Sequence, residues 1–111
     1  MLLSNLASAS FAFIFTVSAF AKTHSVTMKS LSFDPKKIEI KVGDMVEWTN
    51  TSFTEHSATS NLKEGEPGYF NTGLVQPQKK STGVIFSKPG TFLYNCSVHG
   101  RTMSASAVVL P

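Results

Sequence analysis

A short segment near the end of the chain contains three side chains that could bind a soft metal ion. Cys96, His99 and Met103 offer a thiolate, an imidazole and a thioether within eight residues, directly after a predicted strand. Thiolate and thioether sulfur favour copper, whereas magnesium prefers oxygen ligands. Two histidines and one cysteine in a trigonal arrangement, with a weak axial methionine, form the copper sites that transfer electrons. The segment therefore predicts every ligand of such a site except the second histidine.

The second imidazole has two candidates, His24 and His56. His56 is far from Cys96 along the chain, but loops at one end of a β-sandwich can meet, so His56 could join Cys96, His99 and Met103. His24 begins the first predicted strand and is less well placed. A cysteine and two histidines also bind zinc, but a methionine in the fourth position argues against a zinc site.

The numbers of cysteines and histidines exclude several classes of protein. Cys96 is the only cysteine, so the chain can form no internal disulfide. The three histidines are too few for the additional copper sites of a multicopper oxidase or a copper nitrite reductase, so we expect a protein that is not an enzyme. A formal net charge of +3, spread along 111 residues, gives no argument for nucleic-acid binding. A chain of this length suits one domain.

The elements that must position these ligands are predicted to be short strands joined by turns. Residues 37–42 alternate between aliphatic and charged side chains, which is typical of a half-buried strand. A turn at Gly43-Asp44 follows, and the sequence leaves open whether it joins neighbours in one sheet or crosses between two sheets. Further strands are predicted over 46–48, 81–86, 91–96 and 105–110, with a loop over 61–68. No segment has a sustained helical period, so we predict an all-β sandwich or barrel.

The first 21 residues predict a signal peptide. They contain no charged side chain, include an apolar stretch and end in Ala19-Phe20-Ala21, which fits the pattern that signal peptidase accepts. The first residues lack Lys and Arg, so an uncleaved N-terminal anchor is the alternative. A spanning helix, however, needs ~20 apolar residues, and Ser and Thr interrupt this stretch. We expect the domain of residues 22–111 to be exported, with no membrane insertion after cleavage.

Four segments, in chain order, carry a resemblance to a known family: residues 42–50 (VGDMVEWTN), His56, residues 68–73 (GYFNTG) and residues 86–103 (FSKPGTFLYNCSVHGRTM). With them, most of residues 26–110 resembles the small cupredoxins, the type 1 blue copper proteins of the plastocyanin, amicyanin and pseudoazurin kind. The resemblance implies a single Greek-key β-sandwich domain that binds one copper ion and transfers single electrons without substrate chemistry. Position by position, it makes His56, Cys96 and His99 the equatorial ligands and Met103 the axial ligand.

Two positions depart from the family pattern. Three residues separate His99 from Met103, whereas plastocyanin-like loops have four and amicyanin-like loops have two, so Met103 is the least secure ligand. Ser57 stands where many relatives have an Asn that orients the ligand loops, and a serine can still form hydroxyl and backbone hydrogen bonds. Because such bonds tune a bound metal, the reduction potential does not transfer from the family.

We expect a periplasmic monomer that exchanges electrons with redox proteins such as a cytochrome, a reductase or a dehydrogenase. By the resemblance, His99 is the electron port, and Val98 and Gly100 line a docking patch. Copper trafficking or storage by the same ligands is the alternative function. Two pairs of lysines could steer an acidic partner, although solvated surface lysines are the simpler interpretation; these are Lys36 with Lys37 and Lys79 with Lys80.

Cleavage after Ala21 would leave Lys22-Thr23-His24 at the amino terminus. A free amine, two backbone amides and an imidazole at the third position can surround Cu(II) in the square-planar geometry that it prefers. This is a second candidate copper site. The simpler interpretation is that His24 begins a strand and is no ligand.

Overall fold

The computed structural model describes residues 21–111, so all of the predicted signal peptide except Ala21 lies outside the described residues. The described residues form eight strands, and none of them belongs to a helix long and apolar enough to cross a membrane. The strands are β1 (Thr23–Met28), β2 (Phe33–Asp34), β3 (Lys37–Lys41), β4 (Met45–Asn50), β5 (Thr59–Ser60), β6 (Val84–Ile85), β7 (Gly90–Cys96) and β8 (Gly100–Leu110).

The strands form two four-stranded sheets, in the orders β2-β1-β4-β6 and β3-β8-β7-β5. β1 is parallel to β4 and β3 is parallel to β8, whereas β7 and β8 are antiparallel neighbours. The turn at Gly43-Asp44 joins β3 of one sheet to β4 of the other, so it crosses between the sheets. The predicted all-β, single-domain fold is confirmed, and the two sheets make it a sandwich.

The core is built around aromatic side chains. Trp48 of β4 is fully buried and meets Tyr94 of β7 edge-on, with ring centroids 5.5 Å apart, while Phe70 stacks on Trp48 at 5.7 Å. The Trp48 Nε1–H donates a hydrogen bond to the Tyr94 hydroxyl at 3.3 Å, so neither buried polar group lacks a partner. Tyr94 lies two residues before Cys96 on the inward face of β7. This packing therefore fixes the strand that carries the predicted metal ligand.

The predicted strands differ from the observed ones mainly at their ends. The strand predicted over 81–86 is a regular strand only at Val84–Ile85. Before it, Ser81 still donates its N–H to the Trp48 carbonyl at 2.8 Å. The Trp48 N–H, however, donates to the Ser81 hydroxyl at 3.0 Å, where a regular ladder would use a backbone carbonyl. The last strand begins at Gly100 rather than at residue 105, because its pairing with β7 extends that far. The loop predicted over 61–68 contains no strand, as expected.

Candidate metal centre

Cys96 ends β7 with its side chain in the core. Burial alternates along the strand, so Cys96 faces inward and is fully buried. The register between β7 and β8 then shifts, and the pairing passes from Asn95–Ser104 to Cys96–Gly100. Residues 101–103 are thereby left without partners in β7, at the end of the strand that carries Cys96. Such irregularities commonly occur beside functional sites, where they re-aim side chains.

His56 and His99 both turn Nδ1 towards the sulfur of Cys96. Each Nδ1 lies 3.6 Å from Sγ, and the three atoms all lie within 4.8 Å of one another. Metal bonds of about 2.3 Å to sulfur and about 2.0–2.1 Å to nitrogen separate those two atoms by about 3.6–3.8 Å at angles of about 110–120°. The observed separation fits one ion bound by all three side chains. Within residues 21–111, no other three His, Cys, Asp or Glu side chains converge in this way.

The segment after β4 holds His56 inside the protein. Its N–H donates to the Val75 carbonyl at 3.2 Å, and the Val75 N–H donates to the His56 carbonyl at 2.6 Å. Nε2 lies 3.5 Å from the hydroxyl of Thr54. Burial, with a smaller effect from the nearby His99, lowers the pKa of His56, and the backbone of Lys29 only partly opposes this. The neutral imidazole that results is the form that binds a metal.

A network of hydroxyl groups connects the two ligand loops. The Ser57 hydroxyl accepts the Ser97 N–H at 2.9 Å, donates to the Ser97 hydroxyl at 2.9 Å and lies 2.8 Å from the hydroxyl of Thr59. The Ser57 N–H points at Sγ of Cys96 from 3.5 Å. Ser57 thus links the segment that carries His56 to the one that carries Cys96, although its side chain is shorter than the Asn of the family pattern.

Known proteins share this fold. A family model described as copper binding proteins, plastocyanin/azurin family, matches residues 20–110. The chain belongs to this family. Copper is therefore the cofactor of this cupredoxin, and its buried thiol with two converging imidazoles is a donor set that suits copper.

Relatives and solved structures extend this assignment. Plastocyanin from Nostoc punctiforme is 43% identical over 48 residues, which cover 40% of this chain and 34% of the plastocyanin. Amicyanin-alpha from Methylorubrum extorquens is 31% identical over 81 residues, which cover 71% of this chain and 66% of the amicyanin. This cupredoxin thus spans about a third of one relative and about two thirds of the other.

Solved structures of low sequence identity share the fold. A purple cupredoxin from Nitrosopumilus maritimus has a TM-score of 0.66 at 22% identity, covering 78% of this chain and 98% of its own. An oxidised amicyanin variant has a TM-score of 0.69 at 20% identity, covering 78% and 80%. A copper-containing nitrite reductase from Thermus scotoductus also reaches 0.69 at 27% identity, covering 86% of this chain but only 23% of its own. The cupredoxin therefore matches only part of that enzyme.

Met103 of this cupredoxin lies on the inward face of β8 beside the register shift. It is fully buried. It directly precedes Ser104, the partner of Asn95, and burial alternates from Met103 along β8, so Met103 faces the core as Cys96 does. A spacing of three residues after His99 thus places Met103 on the inward face of the sheet that carries the sulfur.

The remaining histidine lies elsewhere in the cupredoxin. His24 Nε2 lies 2.8 Å from Asp44 Oδ2, at the turn between β3 and β4. The structure thus brings His56, rather than His24, to Cys96. Sequence reasoning missed two hydroxyl groups near the ligands, those of Thr54 and Ser97. Their positions, two residues before one ligand and one residue after another, are the signal that could have indicated them.

Proposed function

We propose that this cupredoxin carries single electrons between redox proteins, with one copper ion held by His56, Cys96 and His99 and, axially, by Met103. The observation that carries the proposal is the convergence of two imidazole nitrogens on one buried sulfur, each at 3.6 Å. Copper supplies a one-electron couple at such a site. The named relatives, plastocyanin and amicyanin-alpha, support a carrier rather than an enzyme.

The contribution of the protein is to hold the ligands still. An electron moves quickly when the ligand positions differ little between the two oxidation states, and rigid elements with supporting hydrogen bonds limit that difference. Cys96 ends a strand that pairs with both β5 and β8. His56 is tied to Val75 through two backbone hydrogen bonds, and Ser57 connects the two loops. Each ligand loop is thereby fixed before the metal binds.

His99 is the proposed port for electrons. It is half-buried, whereas His56, Cys96 and Met103 are fully buried. Its neighbour Val98 is 51% exposed and apolar. A partner that covers this apolar edge would approach the copper more closely here than on any path through the core, and would exclude water from the contact.

A basic groove beside the port is the proposed docking site for an acidic partner. A surface cavity of about 360 Å³ over β7 and β8 is lined by three cations, Lys36, Lys37 and Arg101, and otherwise by neutral residues. Within the described residues, none of these three cations forms an ion pair. Arg101 lies two residues after His99, so the positive charge extends to the port. An acidic surface would therefore complement this groove, mainly by speeding the encounter.

Electron exchange with a small acidic cytochrome tests the docking site. At low salt, the double variant Lys36→Gln with Arg101→Gln should slow the exchange by about tenfold, and added salt should remove most of the difference. The double variant Lys63→Gln with Lys88→Gln is the matched control, because it also removes two exposed positive charges but neither lines the groove, and it should have little effect. Equal slowing by the two double variants would contradict the proposed site. Lys80 is a poorer candidate, since its Nζ lies 3.8 Å from Glu47 Oε1.

The optical spectrum of the copper-loaded protein tests the function. We expect an intense blue absorption that disappears in Cys96→Ser, and repeated reduction and oxidation with the copper content unchanged. Loss of copper to an acceptor protein in each cycle would instead indicate copper trafficking. A spectrum without the band would contradict the proposed ligand set.

We also propose that residues 1–21 are removed during export to the periplasm, which leaves residues 22–111 as a monomeric domain. The family match begins at residue 20, which supports a leader outside the copper-binding domain. The intact mass of the protein from a periplasmic extract should equal that of residues 22–111. Sedimentation of the purified protein should give the mass of one chain.

A further inference from the structure

The turn between β3 and β4 holds the side chain of Asp44 in a fixed position. The Asp44 N–H donates to the Lys41 carbonyl at 2.9 Å, and Gly43 occupies the third position of this four-residue turn with a φ of 96°, which favours glycine. The Asp44 carboxylate reaches back to accept the Lys41 N–H at 3.0 Å. The side chain is only 7% exposed. The turn therefore presents a largely buried acceptor whose orientation is set by its own backbone.

Two groups from the beginning of the described chain reach the same carboxylate. The Lys22 backbone nitrogen lies 3.0 Å from Oδ1, and His24 Nε2 lies 2.8 Å from Oδ2. Hydrogen bonds from the N–H of Lys22 and then of Lys41, followed by that of His24, lower the pKa of Asp44 to about 2. The carboxylate is consequently ionised at neutral pH. Asp44 lines a surface cavity together with Lys22 and His24, and the charged residues Lys41 and Glu39 also line it.

Lys22 is the first residue after the predicted cleavage site. Hydrolysis of the Ala21–Lys22 peptide bond by signal peptidase consumes one water, leaves a carboxylate on Ala21 and leaves an amine on Lys22. This amine takes up a proton at pH 7, since α-amino groups have pKa values of about 7.7–8.0. Both residues are exposed. The nitrogen that donates one neutral N–H to Asp44 in the longer chain thus becomes an ammonium group.

We infer that Asp44 is the binding site for the α-ammonium group that this cleavage creates. The inference rests on the proposed removal of residues 1–21. Cleavage converts a neutral hydrogen bond into an ion pair, and charge-assisted hydrogen bonds are roughly twice as strong as neutral ones. The Lys22 carbonyl also accepts the Met45 N–H at 2.8 Å, so the backbone already fixes the position that the ammonium occupies. The mature amino terminus thereby fastens β1 to the crossing between the two sheets.

The same contact keeps the amino terminus from chelating Cu(II). The candidate square-planar site needs the amine, the amide nitrogens of residues 23 and 24 and the His24 imidazole around one ion. Residues 23 and 24 instead pair with β4 in a parallel ladder, in which successive residues are about 3.3 Å apart. Asp44 also stabilises the protonated amine, which cannot bind a metal. Both effects act against a second copper site in the folded protein.

Chemical denaturation of four copper-loaded proteins tests the ion pair. The chains begin either at Lys22 or one residue earlier, at Ala21, and each start is made with Asp44 and with Asp44→Asn. With Asp44 present, the additional alanine should lower the folding constant about fivefold, because it replaces the ammonium by a neutral amide. In the Asp44→Asn background, where the carboxylate is missing, the two starts should differ by less than about twofold. The same loss in both backgrounds would overturn the inference.

Reaction of the amine with cyanate gives a second measurement that does not depend on unfolding. The Lys22 α-amine should react several times more slowly with Asp44 than in Asp44→Asn, as measured by peptide mass spectrometry, while the exposed side-chain amine of Lys63 serves as the internal control. Equal rates would overturn the inference. The mass of the exported protein separates this result from the proposed cleavage, because a different cleavage site would contradict the signal-peptide boundary and leave the Asp44 measurements on the Lys22 chain unaffected.

Titration with Cu(II), after the Cys96 site has been filled with copper, tests the effect on chelation. Removal of the carboxylate in Asp44→Asn should strengthen binding of a further Cu(II) about tenfold, which corresponds to one pKa unit of the competing amine. The additional His24→Ala change should abolish this gain. Identical weak binding with and without the carboxylate would show that Asp44 does not protect the amino terminus.

Discussion

Ser57→Ala removes the hydroxyl group that connects the two ligand loops. The Ser57 side chain is 1% exposed and makes contacts of 2.9, 2.9 and 2.8 Å with the backbone and hydroxyl of Ser97 and the hydroxyl of Thr59. Ser97 is exposed, so water can replace its lost bonds, and Thr59 retains Asn71 Oδ1 at 3.1 Å. We therefore expect the free energy of unfolding to fall by about 1–2 kcal/mol, below the largest cost of an unsatisfied buried group.

The same change should lower the reduction potential of the copper. The Ser57 N–H points at Sγ of Cys96 from 3.5 Å, and such a donor stabilises the more electron-rich sulfur of the reduced state. A loosened loop would weaken this contact. A shift of about 1 kcal/mol between the two oxidation states corresponds to about 40 mV for one electron. Voltammetry of the copper-loaded variant measures this shift, and chemical denaturation measures the loss of stability.

Ser87→Ala is the matched control for Ser57→Ala. Ser87 is exposed in the connection between β6 and β7, away from the ligand loops in sequence, and its hydroxyl group should have little effect on either quantity. An unchanged potential together with unchanged stability in Ser57→Ala would refute the argument that the hydroxyl network holds the ligand loops. A fall in stability alone would limit the network to a structural role.

Three further predictions concern pH and backbone conformation. Burial raises the pKa of Tyr94 to about 12, so stability should fall between about pH 10 and pH 12, where only the unfolded chain loses this proton, and Tyr94→Phe should reduce that fall in alkaline denaturation. Backbone hydrogen bonds lower the pKa of Asp44 to about 2, so its contribution is complete above about pH 4 and disappears towards pH 2, and Asp44→Asn should flatten acid denaturation in this range. Gly65→Ala should lower the free energy of unfolding by about 1–2 kcal/mol, because alanine is strained at a φ of 94°. Gly68→Ala has a similar φ of 93°, but its new Cβ would also lie 2.5 Å from Phe92, so it should lower the free energy of unfolding by at least ~1 kcal/mol more. Equal losses in chemical denaturation would contradict this close contact.

The sequence predicts the parts of this protein that have a regular period or a distinctive donor set. Burial in β3 alternates over residues 37–41 as the pattern indicates, but Val42, which continues the pattern, lies beyond the strand at the crossing turn and is 41% exposed. Cys96 faces inward with Tyr94 as their spacing predicts. His56 and His99 meet Cys96 although they lie 40 and 3 residues from it. Donor chemistry identified these side chains, because few other soft ligands compete for the role in so short a chain.

The remaining features depend on contacts between distant segments, which no local pattern shows. β2 and β5 have two residues each, too few for a period, and exist because β1 and β7 offer them partners. The Ser81 hydroxyl interrupts a ladder that alternation alone predicts to be regular. The sequence also cannot show that the turn before β4 crosses between sheets, because a glycine-containing turn serves both connections equally well.

The copper ligands and the Asp44 carboxylate lie at opposite ends of β4, and this separation predicts that their effects are independent. Asp44 directly precedes the strand and His56 follows it, so the six residues of Met45–Asn50 put about 20 Å between the two ends. At that distance the loss of one carboxylate charge is largely screened by salt at the surface. Asp44→Asn should therefore lower stability without moving the reduction potential, whereas Ser57→Ala should change both. A potential that shifted as much in Asp44→Asn as in Ser57→Ala would mean that the sandwich transmits strain along β4, and that the ligand loops are less rigid than their hydrogen bonds indicate.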